Sequence, residues 1–69
     1  MDRAEIQKLE NYLRKTFQLQ SIGVRARPRK DDSAEVYVGD EFIGVIFKDE
    51  EDGELSYNFT MAILDVDLE

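Results

Sequence analysis

The sequence contains no cysteine and no histidine. The missing thiols exclude disulfides as a support for the fold, and the usual nitrogen and sulfur ligand sets for zinc cannot be assembled. Catalysis by a serine or cysteine nucleophile with a histidine base is excluded for the same reason. We therefore expect no enzyme, no catalytic residues, no metal site and no bound cofactor.

Long apolar runs are also missing. No segment approaches the roughly 20 apolar residues that a membrane-spanning helix needs. The first residues, Met1-Asp2-Arg3, lead into an amphipathic pattern and not into the apolar region of a signal peptide. The 69 residues fit a single domain, 1–69, with a thin core. The sequence predicts a cytoplasmic domain without membrane contact. Because disulfides and a zinc site are excluded, self-association is the remaining way to stabilise so small a core.

Charge is present in abundance but is unevenly distributed. The formal net charge is −7. Residues 1–30 hold eight basic and three acidic side chains, a net charge of +5, whereas residues 31–69 hold one basic and thirteen acidic side chains, a net charge of −12. Such asymmetry favours complementary faces, within the domain or between copies of it, and disfavours the whole molecule as a ligand of polyanions.

The N-terminal segment has a helical pattern. Asp2 is a suitable N-cap, and Glu5 three residues later completes a capping-box-like start. Apolar residues then recur at spacings of three and four, which places them on one helical face. They are Ile6, Leu9, Leu13 and Phe17, with Tyr12 beside them. The pattern predicts a helix over about residues 2–17, with Glu10 and Arg14 paired on its solvent side.

From Ile22 onward the apolar residues alternate with polar ones, as in β-strands. Pro28 ends the first strand, and Gly39-Asp40 is a two-residue hairpin signal. The predicted strands cover about residues 22–27, 34–38, 41–47 and 54–64, with polar loops at 29–33 and 48–53. The fold class is therefore α+β: one N-terminal helix packed on a four-stranded antiparallel sheet in sequential order, an α-β-β-β-β meander.

Strand registers follow from requiring apolar side chains to share a face. This pairs Val36 with Ile43, Val24 with Val38, and Phe47 with Leu55. The face predicted to lie under the helix holds Val24, Val36, Ile43, Val45, Phe47, Tyr57, Phe59 and Met61. The predicted outer face holds Arg25, Arg27, Glu35, Tyr37, Phe42, Gly44, Ile46, Ser56, Asn58 and Thr60.

An apolar cluster remains on the predicted outer face, because no second helix is available to cover it. It consists of Tyr37, Phe42 and Ile46, with Arg25 and Arg27 on the same face. An uncovered aromatic patch suggests a partner surface. We expect a non-enzymatic interaction module, most simply a homodimer, although an unidentified protein partner is also possible.

The C-terminal segment alternates apolar and acidic residues after the sheet should have ended. A frayed tail, a strand that continues past a bulge, and an arm that adds to a neighbouring chain are the three alternatives. Val66 and Leu68 favour a strand or arm that takes part in dimer contacts.

Two charged runs have alternative interpretations. Arg25, Arg27, Arg29 and Lys30 could contact a phosphate backbone, which makes a nucleic-acid-binding domain the alternative function. A solvated, salt-bridged face is favoured instead, with Arg27 opposite Glu35. The acidic run 49–54 does not have the spacing of a twelve-residue calcium loop and is interpreted as a solvated hairpin tip. Asp65, Asp67 and Glu69 are interpreted in the same way.

With these segments laid out, the chain resembles a known family. The resemblance is carried by the helix start, the strand Gly-Val-Arg-Ala-Arg-Pro, the hairpin Ala-Glu-Val-Tyr-Val-Gly-Asp-Glu-Phe-Ile-Gly-Val-Ile and the last strand. The chain is similar over nearly its whole length to a small uncharacterised alphaproteobacterial family, domain of unknown function 3126. This resemblance implies a cytosolic bacterial protein and supplies no activity, ligand or functional residues.

Overall fold

The computed structural model of the chain describes residues 1–68. Glu69, predicted to be a solvated acidic residue, lies outside the described residues. One α-helix is followed by four strands and two short 3-10 helices: α1 Arg3–Phe17, β1 Ile22–Arg27, β2 Lys30–Val38, β3 Glu41–Asp49, η1 Glu51–Gly53, β4 Ser56–Thr60 and η2 Asp65–Leu68. The strands form one antiparallel sheet in the order β1-β2-β3-β4, which confirms the predicted fold class and strand order.

Helix α1 begins and ends where its local sequence predicts. The Asp2 carboxylate accepts a hydrogen bond of 2.7 Å from the backbone N–H of Glu5, the bond expected of an N-cap. At the other end Gln18 adopts a left-handed conformation with φ 53°, and the Leu19 N–H bonds the Arg14 carbonyl at 3.0 Å. The Glu5 side chain also bonds residues of β3 and β4.

The connection between β1 and β2 is shorter than predicted. Arg27 pairs with Lys30, so Pro28-Arg29 forms a two-residue turn and the predicted loop 29–33 is largely strand. The fixed φ of proline suits the first central position of such a turn, and a register shift between Ala26 and Arg27 accommodates it. Val24 consequently pairs with Val36, and the predicted pairing with Val38 is wrong.

The hairpin between β2 and β3 is confirmed at Gly39-Asp40, but its register contains an irregularity. Gly39 has φ 61°, as the first central residue of a type II′ turn requires. The register then shifts between Val36 and Tyr37, so that Val36 pairs with Gly44 and not with Ile43. This one-residue shift turns the rest of β3 over. Ile46, predicted to face outward, therefore lies on the helix side. Val45 and Phe47, predicted to lie under the helix, lie on the outer face instead.

The core lies between α1 and the sheet. Its buried apolar residues are Leu13, Ile22, Val24, Ala34, Val36 and Ile46, and Ile46 is only 2% exposed. Ile46 pairs with Phe59, and Lys48 pairs with Tyr57, so the side chains of Tyr57 and Phe59 face the helix as predicted. Met61, predicted for the same face, is half exposed.

The last strand is shorter than the predicted 54–64, because β4 ends at Thr60. Beyond it the chain forms hydrogen bonds with itself: the Asp67 N–H bonds the Leu64 carbonyl at 2.9 Å, and the Leu64 N–H bonds the Asp67 carboxylate at 3.2 Å. Such local bonds compete with strand pairing. The prediction that this segment continues as a strand is therefore wrong, since residues 65–68 form η2.

Candidate interaction surface

The outer face of the sheet, opposite α1, carries a small aromatic cluster. The Arg25 guanidinium lies 4.0 Å from the centre of the Tyr37 ring, a cation–π geometry. Phe42 meets the same ring edge-on, with 5.7 Å between ring centres. The Tyr37 hydroxyl donates to the Glu35 carboxylate at 3.0 Å. The structure thus brings together three predicted site residues, Arg25, Tyr37 and Phe42.

Glu35 fixes the tyrosine in this cluster. Its carboxylate accepts the phenol hydrogen bond and raises the pKa of Tyr37 above the ordinary value of 10.0. Glu35 also pairs across strands with Arg25, whereas the sequence predicted that Arg27 would stand opposite it. The prediction was wrong by two residues because the turn at Pro28-Arg29 is tighter than a five-residue loop.

The basic stripe is therefore divided between different surroundings. Arg25 stacks on Tyr37 beside Glu35. Arg27 donates from Nη1 to the buried Ser33 hydroxyl at 3.2 Å and belongs to the sheet structure. Arg29 and Lys30, at the turn, are exposed and have no such contact among the bonds of residues 1–68, whereas Arg25 is exposed but stacked on the tyrosine. The arrangement satisfies the two strand arginines within the fold.

An apolar groove that the sequence analysis missed adjoins the aromatic cluster. It is open, has a volume of about 280 Å³, and is lined by Phe42, Ile43, Gly44, Val45, Phe47, Thr60 and Ala62. Phe42 and Phe47 are 52% and 44% exposed. The sequence pattern places Val45 and Phe47 in the core, and this prediction is wrong. The run Phe42–Phe47 is apolar at both odd and even positions, so the pattern does not distinguish the two faces. Ile46, the third member of the predicted cluster, lies in the core on the opposite face.

The C-terminal segment places its apolar side chains in solvent. Val66 and Leu68 are exposed, as are Ile63 and Leu64 before them. Ala62 lines the outer groove, so the segment departs from the side of the groove. The two predicted site residues, Val66 and Leu68, are thus accessible.

The helix side of the sheet has a second open groove. It has a volume of about 370 Å³ and is lined by Leu9, Tyr12, Leu13, Ile46, Tyr57 and Phe59. The groove lies where α1, which packs mainly against β1, covers β4 only in part. Phe17 meets Phe59 beside it, with ring centres 6.4 Å apart.

A hydrogen-bonded group ties α1 to the far half of the sheet. The Glu5 carboxylate accepts from the Tyr57 hydroxyl, and Lys48 Nζ lies 2.9 Å from Glu5 Oε2. These bonds lower the pKa of Glu5, and the bond to Glu5 raises the pKa values of Tyr57 and Lys48. This group, the Glu5 clamp, joins α1 to β3 and β4, and its three side chains line a further open pocket of about 280 Å³.

The two edges of the sheet differ. At the β1 edge the Glu10 carboxylate accepts from the Val24 N–H at 2.9 Å, and Arg14 Nε donates to the Ile22 carbonyl at 2.8 Å. Glu10 and Arg14 also pair with each other at 3.3 Å. Glu10 and Arg14, predicted to lie on the solvent side of the helix, therefore form hydrogen bonds with backbone groups of an edge strand. At the β4 edge no such side chain is found within residues 1–68.

Residues 1–68 contain neither a cluster of metal ligands nor a helix that could cross a membrane. No group of three or more acidic side chains in this part of the chain is arranged to hold a metal ion. No helix within it is long and apolar enough to cross a membrane.

Comparison with known proteins places this architecture in a family. The profile of the family described as "Protein of unknown function (DUF3126)" matches residues 5–67. The chain belongs to the DUF3126 family. The match covers most of α1, all four strands and most of η2, so the family domain includes the outer groove and both sheet edges. No curated protein and no solved structure matches the chain.

Proposed function

We propose that this DUF3126 domain is a non-enzymatic interaction module that forms a homodimer through the outer face of its sheet. The observation that supports this most strongly is the open groove between Phe42 and Phe47, which no second layer covers within residues 1–68. Folding a chain of this size leaves much apolar surface in water. Burying two large aromatic side chains per protomer would supply the supplement that the thin core needs.

Charge on this face is suited to contact between copies. Arg25 and Glu35 stand side by side, so a two-fold axis through the face can set the arginine of one protomer against the glutamate of the other. The strongly acidic segments of the chain lie elsewhere, at the hairpin tip 49–54 and at residues 65–68. Val66 and Leu68 are exposed on the segment that follows Ala62 of the groove, and they could extend the interface if that segment moves toward the partner.

Binding of nucleic acid, the alternative function, has less support. Arg25 stacks on Tyr37 and Arg27 bonds the Ser33 hydroxyl, so two of the four cations of the stripe are held by contacts within the fold. The net charge of −7 opposes it further.

The experiment is size exclusion coupled to light scattering over a range of protein concentrations. We expect a dimer for the wild type, and for Phe42→Asp a dissociation constant at least about 100-fold higher, because a charge would replace an aromatic side chain within the interface. Tyr12→Asp is the matched control: it places the same charge at an exposed aromatic residue on α1, and we expect it to remain dimeric. Circular dichroism verifies that both variants fold.

A wild type that is monomeric at every concentration would contradict the proposal. So would a Phe42→Asp variant that dimerises as tightly as Tyr12→Asp.

A further inference from the structure

The free edge of β4 is the only strand edge within residues 1–68 that no side chain blocks. Backbone groups of a strand point alternately to its two neighbours. The Gly39 N–H bonds the Ser21 carbonyl at 2.9 Å, and this pair sets the alternation for the whole sheet. Followed through the registers of β2 and β3, it directs the N–H and C=O groups of Tyr57 and Phe59 away from β3, toward solvent.

The edge of β4 differs from the edge of β1, which is blocked by side chains of the helix. An exposed row of backbone donors and acceptors attracts other strands, and proteins usually block it. On β1, Glu10 and Arg14 take up the outward groups of Val24 and Ile22. On β4 the strand carries no lysine, no proline and no bulge, since its sequence is Ser-Tyr-Asn-Phe-Thr in regular register.

The surroundings of β4 define what could pair with it. Before the strand lie Asp49, Glu50, Glu51, Asp52 and Glu54, and after it lie Asp65 and Asp67. Of the basic residues near Tyr57, Lys48 is paired with Glu5 and Glu50, and Lys8 lines the pocket that they share. On the helix side, the groove beside Tyr57 and Phe59 is apolar. An added strand would therefore meet an apolar floor on one side and negative charge at both ends.

We propose that the β4 edge binds an extended segment of another protein in which apolar and basic residues alternate, so that this segment becomes a fifth strand. Main-chain bonds to Tyr57 and Phe59 supply affinity, and the groove receives the apolar side chains. The basic residues of the segment pair with the acidic residues that flank β4. A second copy of this chain fits less well, because antiparallel pairing of two β4 strands brings acidic hairpin tips against acidic C-terminal segments.

The test uses a synthetic peptide with the sequence of residues 21–30, Ser-Ile-Gly-Val-Arg-Ala-Arg-Pro-Arg-Lys, which alternates in the required way. Amide hydrogen exchange of the full chain is followed by NMR as the peptide is added at low ionic strength. We expect exchange at Tyr57 and Phe59 to slow at least about tenfold, whereas Asn58, whose N–H points to β3, changes little. A peptide with glutamate at all four basic positions should bind at least about tenfold more weakly.

A matched pair of variants tests the edge itself. Asn58→Lys places a cation on the edge strand and should weaken peptide binding about tenfold, whereas Asn58→Gln should bind as the wild type does. Unchanged exchange at Tyr57 and Phe59 with saturating peptide would overturn the proposal. Protection of these amides without peptide, rising with protein concentration, would assign the edge to a second copy and also overturn it. Light scattering on the same samples reports dimerisation separately, since the outer-face proposal can fail while the edge still binds.

Discussion

Among the four glycines, Gly44 is the one whose identity the packing constrains most closely. A Cβ atom at this position would lie 2.7 Å from Cε1 of Phe59 and closer still to the Thr60 carbonyl oxygen. The strand β4 thus approaches β3 where a side chain would keep it away. Because the obstacle includes backbone, it cannot be relieved by a rotamer change. The requirement for glycine here is one of space, since its φ is not positive.

Gly44→Ala should therefore destabilise the fold. We expect a loss of about 1–3 kcal/mol in the free energy of unfolding, measured by urea denaturation. Gly23→Ala is the control, because its Cβ would meet only the Glu10 carboxylate at an ordinary 3.8 Å. That variant should be unchanged or up to about 1 kcal/mol more stable, since alanine loses less backbone entropy than glycine. Equal effects of the two substitutions would show that the close approach is unimportant.

At the level of elements, the sequence predicted the helix and the strand order but not the strand registers. The helix depends on local signals, namely the Asp2 cap and apolar residues at spacings of three and four, and these are complete within its own segment. Strand order follows from short connections. The register of β3 depends on one additional residue of β3 that is inserted next to Phe42. The sequence does not reveal it, because the run Phe42–Phe47 has apolar residues at both odd and even positions. The close packing of Gly44 against β4, a contact between distant residues, favours one register.

The candidate surface could likewise be predicted only where it depends on local sequence and not on the register of β3. Tyr37 and Phe42 lie on two strands joined by a tight turn, so their proximity follows from the hairpin alone. Ile46 lies beyond the register shift, and its prediction failed there. The blocking of the β1 edge could not be predicted, because Glu10 and Arg14 also fit an ordinary solvent-exposed i,i+4 pair.

The contact of Glu10 and Arg14 with β1 should be worth more than a surface ion pair. Glu10→Ala leaves the Val24 N–H without its acceptor, and we expect a loss of about 1–3 kcal/mol in unfolding free energy. Exchange of the Val24 amide proton should accelerate. Asn11→Ala is the control: Asn11 accepts from Gln7 at 3.0 Å on the exposed helix face, so its removal should cost less than about 0.5 kcal/mol. Similar losses in the two variants would mean that the β1 edge is not held by Glu10.

For the whole molecule, the Glu5 clamp joins the beginning of the chain to the last hairpin. The folded pKa of Glu5 is lowered, so its contribution to stability is complete above the ordinary value of 4.5 and is lost as the pH falls through the lowered value. The folded pKa values of Tyr57 and Lys48 are raised above 10.0 and 10.5, so their contributions are complete below those values and are lost as the pH rises through the raised ones.

The clamp therefore stabilises the fold most between pH 4.5 and pH 10.0. We expect the difference in unfolding free energy between wild type and Glu5→Gln to be largest in this range and to shrink on both sides of it, as measured by urea denaturation at a series of pH values. Glu41→Gln is the control, because Glu41 is an exposed residue at the start of β3, and its difference from wild type should stay small throughout. A Glu5→Gln difference that does not vary with pH would refute the role of the clamp.

The helix-derived block on β1 also limits how many chains can join one sheet. A sheet open at both edges can accept a strand on one side and offer itself as a strand on the other, and repetition of that step builds a fibre. Here the β1 edge can take no part in such a step while Glu10 and Arg14 hold it. Addition at β4 would therefore end after one segment per chain, because two residues of the helix close the edge from which an open polymer would grow.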